Sequence, residues 1–237
     1  YPLSGNTFIG LNAMVTRAYS TGFTTTKNRG IWLANSKTVD RNGLTGNTLT
    51  ENGTVTEAAV ESGAELNGYS GFSTSNYLSR AADADWASFG NGNVYLSVWF
   101  KTSGNSAFEE FVTLRKASPP VRIDIYMEAS GVVGFEAFGD VGERNINSTG
   151  TYDDGAWHKL DGVQISNTER LLYVDGVHVG TDTADSGSLT GADIILGIGA
   201  RGHNGDNPAL TASLALAKVS ATAPTATQVR QMYDAEK

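Results

Sequence analysis

The sequence predicts an all-β protein, built as a sandwich of two antiparallel sheets with one short helix at its C-terminal end. Short runs of alternating apolar and polar residues recur along the chain, as expected of strands with one buried face. Turn-forming residues separate these runs, and the chain has 28 Gly and only 5 Pro among its 237 residues. The predicted strands span residues 95–103, 122–131, 132–139, 158–166, 170–176, 193–200 and 213–220.

Two turns are predicted from their residue types. Asp175-Gly176 lies between two apolar runs, and an Asp-Gly pair supplies the positive φ angles of a type I′ hairpin. Ser130-Gly131 is expected to make a similar turn between two neighbouring strands. Both pairs mark the fold rather than a site.

The last fourteen residues, "PTATQVRQMYDAEK", are the one segment that favours a helix. Thr225 followed by Gln228 has the spacing of a capping box. Val229, Met232 and Tyr233 recur at helical spacing and give one apolar face. We therefore expect a short helix packed on the sandwich, with Met232 and Tyr233 as core contacts.

Composition and charge limit the classes of partner. The formal net charge is −8 and the 17 Lys and Arg residues are scattered, so the surface repels phosphate backbones and nucleic acid is not expected as a partner. The chain has no apolar run of 18 or more residues, so membrane insertion is not expected. The absence of Cys excludes disulfides and thiolate sites.

The chain divides into two parts by composition. Residues 1–30 hold one weak apolar patch and a polar Gly/Thr/Asn stretch, which is typical of an N-terminal arm or linker. Residues 31–237 carry the regularly spaced strand patterns and are expected to form one domain. Since the chain opens at Tyr1 with no signal-peptide pattern, we expect a processed product or a piece of a longer protein.

Five segments follow one another along the chain with a recognisable order of motifs. They are "NGNVYLSVWFKTS", "TGTYDDGAWHKL", "RLLYVDGVHVG", "DIILGIGA" and "LALAKVSATAPTATQVRQMYD". In this order they resemble the laminin-G-like domains of the concanavalin-A-like lectin/glucanase group. The resemblance implies a jelly roll over residues 31–237. The C-terminal segment also resembles domains of bacteriophage tail-fibre and capsid-surface proteins.

Calcium is the one cofactor that the resemblance suggests. Relatives that bind calcium at the sandwich rim use carboxylate, Asn and backbone oxygens, which suit a hard cation. Asp40 and Asn42 can supply part of such a site. Many relatives carry acids at the penultimate strand, where the matching positions of this chain are Leu214, Ala215, Leu216 and Ala217. The alternative is that Asp40 and Asn42 are ordinary turn residues.

The segment "VRIDIYME", residues 121–128, resembles the strand that carries the catalytic carboxylates of glycosidases in this group. Such enzymes need two carboxyl groups ~5–5.5 Å apart for retention or ~6.5–9.5 Å apart for inversion. Arg122 occupies the position of the first acid. Asp124 and Glu128 are four residues apart, which is ~13 Å along an extended strand. We therefore predict a strand without catalytic function.

The same strand is the predicted ligand site. Its polar residues share one face, whereas Ile123, Ile125 and Met127 are expected to face the core. A sugar site needs an aromatic platform and planar hydrogen-bonding groups, and the alternative is a solvated face with cross-strand charge pairs. The candidate ligand-binding residues are Arg122, Asp124, Tyr126 and Glu128 on the strand, with Trp86 and His203 from loops.

Two other tryptophans, Trp99 and Trp157, lie on strands that the family uses for its core, so we expect them to be packing residues. Trp86, in "ADADWASFG", is the best candidate for an exposed aromatic platform.

Together these patterns predict a non-catalytic virion surface module, such as a tail fibre, spike or capsid decoration, that binds host or environmental glycans. The N-terminal arm is expected to dock it to other virion proteins or to sister chains in a homo-oligomer. The alternatives are a purely structural capsid or tail component and, less favoured, a glycan-degrading enzyme. A bacterial cell surface is the alternative location.

Overall fold

The computed structural model describes residues 28–41, 47–64, 66–82, 92–105, 107–116, 120–188, 193–200 and 210–237. These residues form fifteen strands and one helix, as the alternating patterns and the C-terminal segment predict. The strands are β1 (Asn28–Trp32), β2 (Thr50–Asn52), β3 (Thr56–Ala59), β4 (Asn67–Ser70), β5 (Tyr77–Arg80), β6 (Val94–Lys101), β7 (Glu109–Lys116), β8 (Val121–Met127), β9 (Val132–Phe138), β10 (Glu143–Thr151), β11 (Trp157–Ser166), β12 (Glu169–Val174), β13 (Val177–Asp182), β14 (Ile195–Ile198) and β15 (Ser213–Ser220), and the helix is α1 (Ala226–Glu236).

The strands form two antiparallel sheets, which confirms the predicted sandwich. Sheet A has the order β13-β12-β11-β6-β15-β4-β3, with β1 also paired to β15. Sheet B has the order β10-β9-β8-β7-β14-β5-β2. The sequential hairpins β8-β9 and β11-β12-β13 lie in different sheets, so the chain crosses between the layers.

The main core lies between the two sheets and is built by the period-2 alternation of the strands. On β6, Val94, Leu96, Val98 and Phe100 are fully buried members of this core. On β8, Ile123, Ile125 and Met127 enter the same core, as predicted from the alternation.

The Asp175-Gly176 turn between β12 and β13 is confirmed, since both residues have positive φ angles of 52° and 71°. The turn between β8 and β9 differs from the prediction, because Gly131 has a φ of 78° and Ser130 is not in the left-handed region. The Gly131 amide donates to the Glu128 carbonyl at 2.9 Å, and the Glu128 amide donates to the Val132 carbonyl at 2.8 Å. One glycine therefore closes this longer turn.

Within the described part of the chain, no helix has the length and apolar character needed to cross a bilayer. Residues 1–27 of the predicted arm lie outside the described residues. Strand β1 begins at Asn28 and pairs with β15, so residues 28–30 of the predicted arm belong to sheet A.

Candidate functional site

The predicted polar stripe lies on the outer face of sheet B. Arg122, Asp124 and Tyr126 alternate with the core residues of β8. Asp124 pairs with Thr113 of β7 on one side and with Glu136 of β9 on the other. Sequence alternation thus placed these side chains on the correct face.

This face is buried, which contradicts the alternative of a solvated surface for two of its residues. Asp124 is 0% exposed and Tyr126 is 1% exposed, whereas Arg122 and Glu128 are partly exposed. The pattern along one strand cannot report what packs on its outer face, so burial here was missed.

Arg122 lies among three carboxylates. Its guanidinium is in close contact with Glu136, lies 3.5 Å from Asp124 Oδ2 and donates to Glu143 Oε2 at 3.1 Å. It also stacks on the ring of Phe138, 5.0 Å from the centroid. Burial raises the pKa of Glu136, although the adjacent Arg122 opposes the shift. Neither Asp124 nor Glu136 is accessible for proton exchange with a substrate.

The ring and hydroxyl of Tyr126 are already occupied. The hydroxyl donates to Asn147 Oδ1 at 2.6 Å, and Asn147 Nδ2 donates to Glu128 Oε1 at 2.8 Å. The ring packs on Phe108, with centroids 4.7 Å apart. It also fills the space over Gly134, where an added Cβ would lie 2.3 Å from the ring. Burial raises the pKa of Tyr126. The stripe is therefore a packed polar layer rather than an open platform.

The remaining predicted site residues are Trp86 and His203 of the ligand site and Asp40 and Asn42 of the calcium site. Trp86 and His203 lie outside the described residues, as does Asn42 of the calcium pair. Asp40 is buried and accepts hydrogen bonds from the Ile31 amide at 3.0 Å and from Asn47 Nδ2 at 2.7 Å. These contacts give Asp40 a structural role beside β1. Among the described residues, no group of three or more His, Cys, Asp or Glu side chains is placed to hold a metal ion.

A pocket that sequence reasoning missed lies on the outer face of sheet A, beside the end of α1. We call it the aromatic pocket. Its volume is about 280 Å³. The lining residues come from the β3–β4 region, β6, β11, β15 and the end of the chain, and are Val60, Leu66, Trp99, Trp157, Ala215, Tyr233, Glu236 and Lys237.

The walls of the aromatic pocket follow from strand alternation. Trp99 lies between the core residues Val98 and Phe100 of β6, so its side chain projects from the outer face of sheet A. Trp157 is the first residue of β11, and its ring lies over Gly68, where an added Cβ would be 3.2 Å away. The absence of a side chain at Gly68 gives this indole its place on the sheet.

Ala215 of β15 also lines the pocket. Leu216 has a φ of 48°, and the pairing of β15 with β6 shifts register between Ala215 and Lys218. Such a bulge re-aims the side chains next to it. A small residue at Ala215, beside a bulge, leaves an opening between Trp99 and the β3–β4 region.

Helix α1 closes one side of the pocket. Tyr233 stacks on Trp99 with centroids 5.6 Å apart and an interplanar angle of 14°. The Trp99 indole N–H donates to Glu236 Oε2 at 2.9 Å. The helix therefore fixes the orientation of Trp99 through two different contacts.

A buried ion cluster lies beneath this end of the helix. Lys159 Nζ is 3.0 Å from Asp161 Oδ1 and 3.7 Å from Glu236 Oε2, and Lys218 Nζ donates to Glu236 Oε1. All four side chains are at least 98% buried. Burial lowers the pKa of Lys218 to about 8. Burial opposes ionisation of Glu236, but Lys159 and Lys218 outweigh it and lower the pKa of that carboxyl.

Trp99 and Trp157 are packing residues, as expected, although they do not lie between the two sheets. Both pack in a small cluster on the outside of sheet A, separate from the main core, and Trp157 is only partly buried. Met232 is a buried core contact as expected, whereas Tyr233 is partly buried and lines the pocket. The position of Trp99 on the outer face is indicated by the segment "YLSVWFK", in which Trp99 alternates on the same face as the polar residues Ser97 and Lys101.

The fold is similar to several solved binding domains. Domain 4 of the extracellular arabinanase AbnA from Geobacillus stearothermophilus, solved with arabinotriose, is 17% identical with a TM-score of 0.68, covering 87% of this chain and 98% of that domain. The binding domain of Paraclostridial Mosquitocidal Protein 1 is 10% identical with a TM-score of 0.67, and the ligand-binding domain of botulinum neurotoxin serotype D, solved with N-acetylneuraminic acid, is 11% identical with a TM-score of 0.63.

The match to the two toxin domains is partial. They cover 88% and 92% of this chain, whereas this chain spans only 52% of each of them. No curated protein sequence matches the chain. At the family level, residues 72–230 match the model of the concanavalin A-like lectin/glucanases superfamily. Because that match covers more than half of a chain with the sandwich topology described above, the protein belongs to the concanavalin A-like lectin/glucanase superfamily.

Proposed function

We propose that this protein is a non-catalytic carbohydrate-binding module and that its sugar site is the aromatic pocket. The observation that carries the proposal is the grouping of Trp99, Trp157 and Tyr233 around one pocket on the outer face of sheet A. Sugars present an apolar C–H face that packs on aromatic rings, while their hydroxyls stay near polar groups or water.

Within the pocket the three rings have different roles. Trp99 is 8% exposed and is held by Tyr233 and Glu236, so it forms a fixed wall. Trp157 is partly exposed, and its ring is the surface on which a sugar stacks. A platform that is oriented before binding loses little conformational entropy when the ligand arrives.

Two of the similar structures support a sugar as the ligand. Domain 4 of AbnA was solved in complex with arabinotriose, and the botulinum serotype D domain was solved with N-acetylneuraminic acid. The burial of the β8 stripe favours the aromatic pocket over sheet B as the position of the site in this chain.

A glycan array followed by titration of the best ligand tests the proposal. We expect Trp157→Ala to weaken binding by about tenfold, since a nucleobase stacked on an aromatic side chain contributes ~1–3 kcal/mol and ~1.4 kcal/mol corresponds to tenfold. Glu128→Ala on β8 is the matched variant for the stripe and is expected to leave affinity unchanged. Loss of binding in Glu128→Ala with retention in Trp157→Ala would move the site to sheet B. Absence of binding to every glycan at millimolar concentration, with or without calcium, would contradict the proposed function.

The absence of catalysis is part of the proposal. Arg122 lies between Asp124 and Glu136, and both carboxylates are buried. We expect no release of reducing ends when the protein is incubated with bacterial polysaccharides. Progressive shortening of any polysaccharide would show an enzyme instead.

For the biological setting we propose a virion surface, with residues 1–30 docking the module to other virion proteins or to sister chains. The resemblance of the C-terminal segment to phage tail-fibre and capsid-surface domains supports this setting. Genes for capsid or tail proteins beside the gene for this chain are the expected finding. Neighbouring genes for cell-wall or secreted proteins would indicate a bacterial surface.

A further inference from the structure

The aromatic pocket offers few hydrogen-bonding groups to a ligand. Glu236 is fully buried, and its two oxygens accept from Trp99 and Lys218. The indole N–H of Trp157 is enclosed and has no partner. The remaining polar groups of the lining side chains are the Tyr233 hydroxyl and the Lys237 ammonium, which lies 5.6 Å from the centroid of the Tyr233 ring. Both residues belong to the last turn of α1 and its cap.

The side of the pocket next to β4 is apolar. Val60 lies over Gly68 of β4, whereas Tyr233 lies over Gly176 at the β12–β13 turn, with β15, β6 and β11 between β4 and β12. Val60, Leu66 and Ala215 line this apolar side and belong to the same small hydrophobic cluster as the two indoles. A sugar hydroxyl that enters this side exchanges its water contacts for methyl groups, and an unpaired buried hydroxyl weakens binding by about tenfold. A methyl group at the same position is favoured by the removal of apolar surface from water.

The volume limits the ligand to a small unit. About 280 Å³ lies just below the ~300–1,000 Å³ of pockets that enclose drug-sized ligands. We therefore expect the pocket to take one terminal sugar unit rather than a longer stretch of a glycan.

From the polar groups on one side, the methyl groups on the other and the small volume, we propose that the aromatic pocket selects a terminal 6-deoxyhexose. The sugar ring stacks on Trp157, its C6 methyl group lies against Val60, Leu66 and Ala215, and its ring hydroxyls face Tyr233 and Lys237. This inference rests on the proposed function and specifies the ligand of the same site.

Matched pairs of methyl glycosides test the inference, because the members of each pair differ only by the hydroxyl on C6. The pairs are L-rhamnoside with L-mannoside and L-fucoside with L-galactoside, titrated against the full chain by tryptophan fluorescence and by calorimetry. In at least one pair we expect the deoxy sugar to bind about tenfold more tightly, and we expect Trp157→Ala to weaken that binding by about tenfold or more.

A variant of the apolar side gives an independent readout. Val60→Thr keeps the shape of the side chain and adds a hydroxyl, so the preference for the deoxy sugar is expected to fall several-fold. Val177→Thr makes the same exchange on β13, where Val177 is 54% exposed, and is expected to leave the preference unchanged.

The outcomes separate the two proposals. Equal binding within both pairs, or a preference for the hydroxylated members or for N-acetylated hexosamines, would overturn the 6-deoxyhexose while the carbohydrate module stands. A preference that Val60→Thr does not reduce would overturn the placement of the methyl group. If no glycoside and no array glycan binds, both proposals fail.

Discussion

At the scale of single residues, Glu236 connects the ion cluster to the aromatic pocket. One carboxylate oxygen accepts from Trp99 and the other from Lys218, and Lys159 lies 3.7 Å away. Buried ion pairs gain little net stability because desolvation offsets attraction, but removing one partner leaves an uncompensated charge. The Glu236 side chain is therefore expected to contribute more to the stability of the folded state than a residue at the end of a helix usually does.

We predict that Glu236→Ala destabilises the protein by ~3–5 kcal/mol, because the buried cluster then holds two lysines with Asp161 as the remaining carboxylate. Chemical denaturation followed by far-UV circular dichroism measures the change. Asp234→Ala is the matched control on the same helix, since the Asp234–Arg230 pair is about half exposed on both sides. Exposed pairs of this kind contribute ~0.3–0.5 kcal/mol. Equal effects of the two substitutions would contradict the cluster described here.

The lowered pKa of Glu236 also predicts an acid dependence of stability. The folded state binds a proton on this carboxyl more weakly than the unfolded state does, so the contribution is complete above pH ~4.5 and is lost as the pH falls through the folded pKa. Glu109 and Glu136, whose pKa values burial raises, act in the opposite sense. We therefore expect the free energy of unfolding to fall more steeply between about pH 5 and pH 3 in the parent than in Glu236→Gln. Parallel curves would contradict this assignment.

At the scale of elements, helix α1 is the part that the sequence predicted most fully. The Thr225 hydroxyl accepts from the Gln228 amide at 3.3 Å, and Gln228 Oε1 accepts from the Thr225 amide at 2.8 Å, which completes the capping box. Val229 and Met232 are buried against sheet A. Local residue types suffice here because both contacts lie within one turn.

We predict that Thr225→Ala lowers the free energy of unfolding by ~0.5–2 kcal/mol, since it removes the cap of the first turn. Thr227→Ala changes an exposed residue one position inside the helix and is expected to be neutral or slightly stabilising. Thermal unfolding of both variants provides the comparison. A larger loss in Thr227→Ala than in Thr225→Ala would contradict the capping role.

The strands show what sequence reasoning can and cannot give. Alternation placed Ile123, Ile125 and Met127 in the core and the polar residues of β8 on the other face. It could not show that Tyr126 is covered, because burial of an outer face depends on segments distant along the chain. The aromatic pocket was missed for the same reason, since its floor beside Trp99 depends on a bulge at Leu216 and on a neighbouring strand without a side chain at Gly68.

At the scale of the whole molecule, β15 is central to the arrangement. It pairs with β6 on one side and with β1 and β4 on the other. A strand from the C-terminal part of the chain thus lies in the middle of sheet A, next to strands formed early in the sequence. The helix that follows it packs Val229 and Met232 against Tyr95 and Tyr173 of sheet A.

We predict different outcomes for two truncations of this region. A chain ending at residue 220 loses α1 only, so it is expected to keep its β-type circular dichroism, lose the aromatic pocket and bind hydrophobic dyes at the uncovered cluster. A chain ending at residue 212 also loses β15 and is expected not to fold, since β6 and β4 then lack their common partner. A folded 1–212 chain would contradict the central role of β15.

The aromatic pocket is assembled from five parts of the chain that are far apart in sequence, and it therefore exists only in the folded state. Any molecule that occupies it shifts the unfolding equilibrium by mass action. A ligand at one hundred times its dissociation constant adds ~2.7 kcal/mol to the free energy of unfolding. The melting temperature of the protein therefore reports ligand binding, and a library of sugars can be ranked by the increase in melting temperature that each sugar causes.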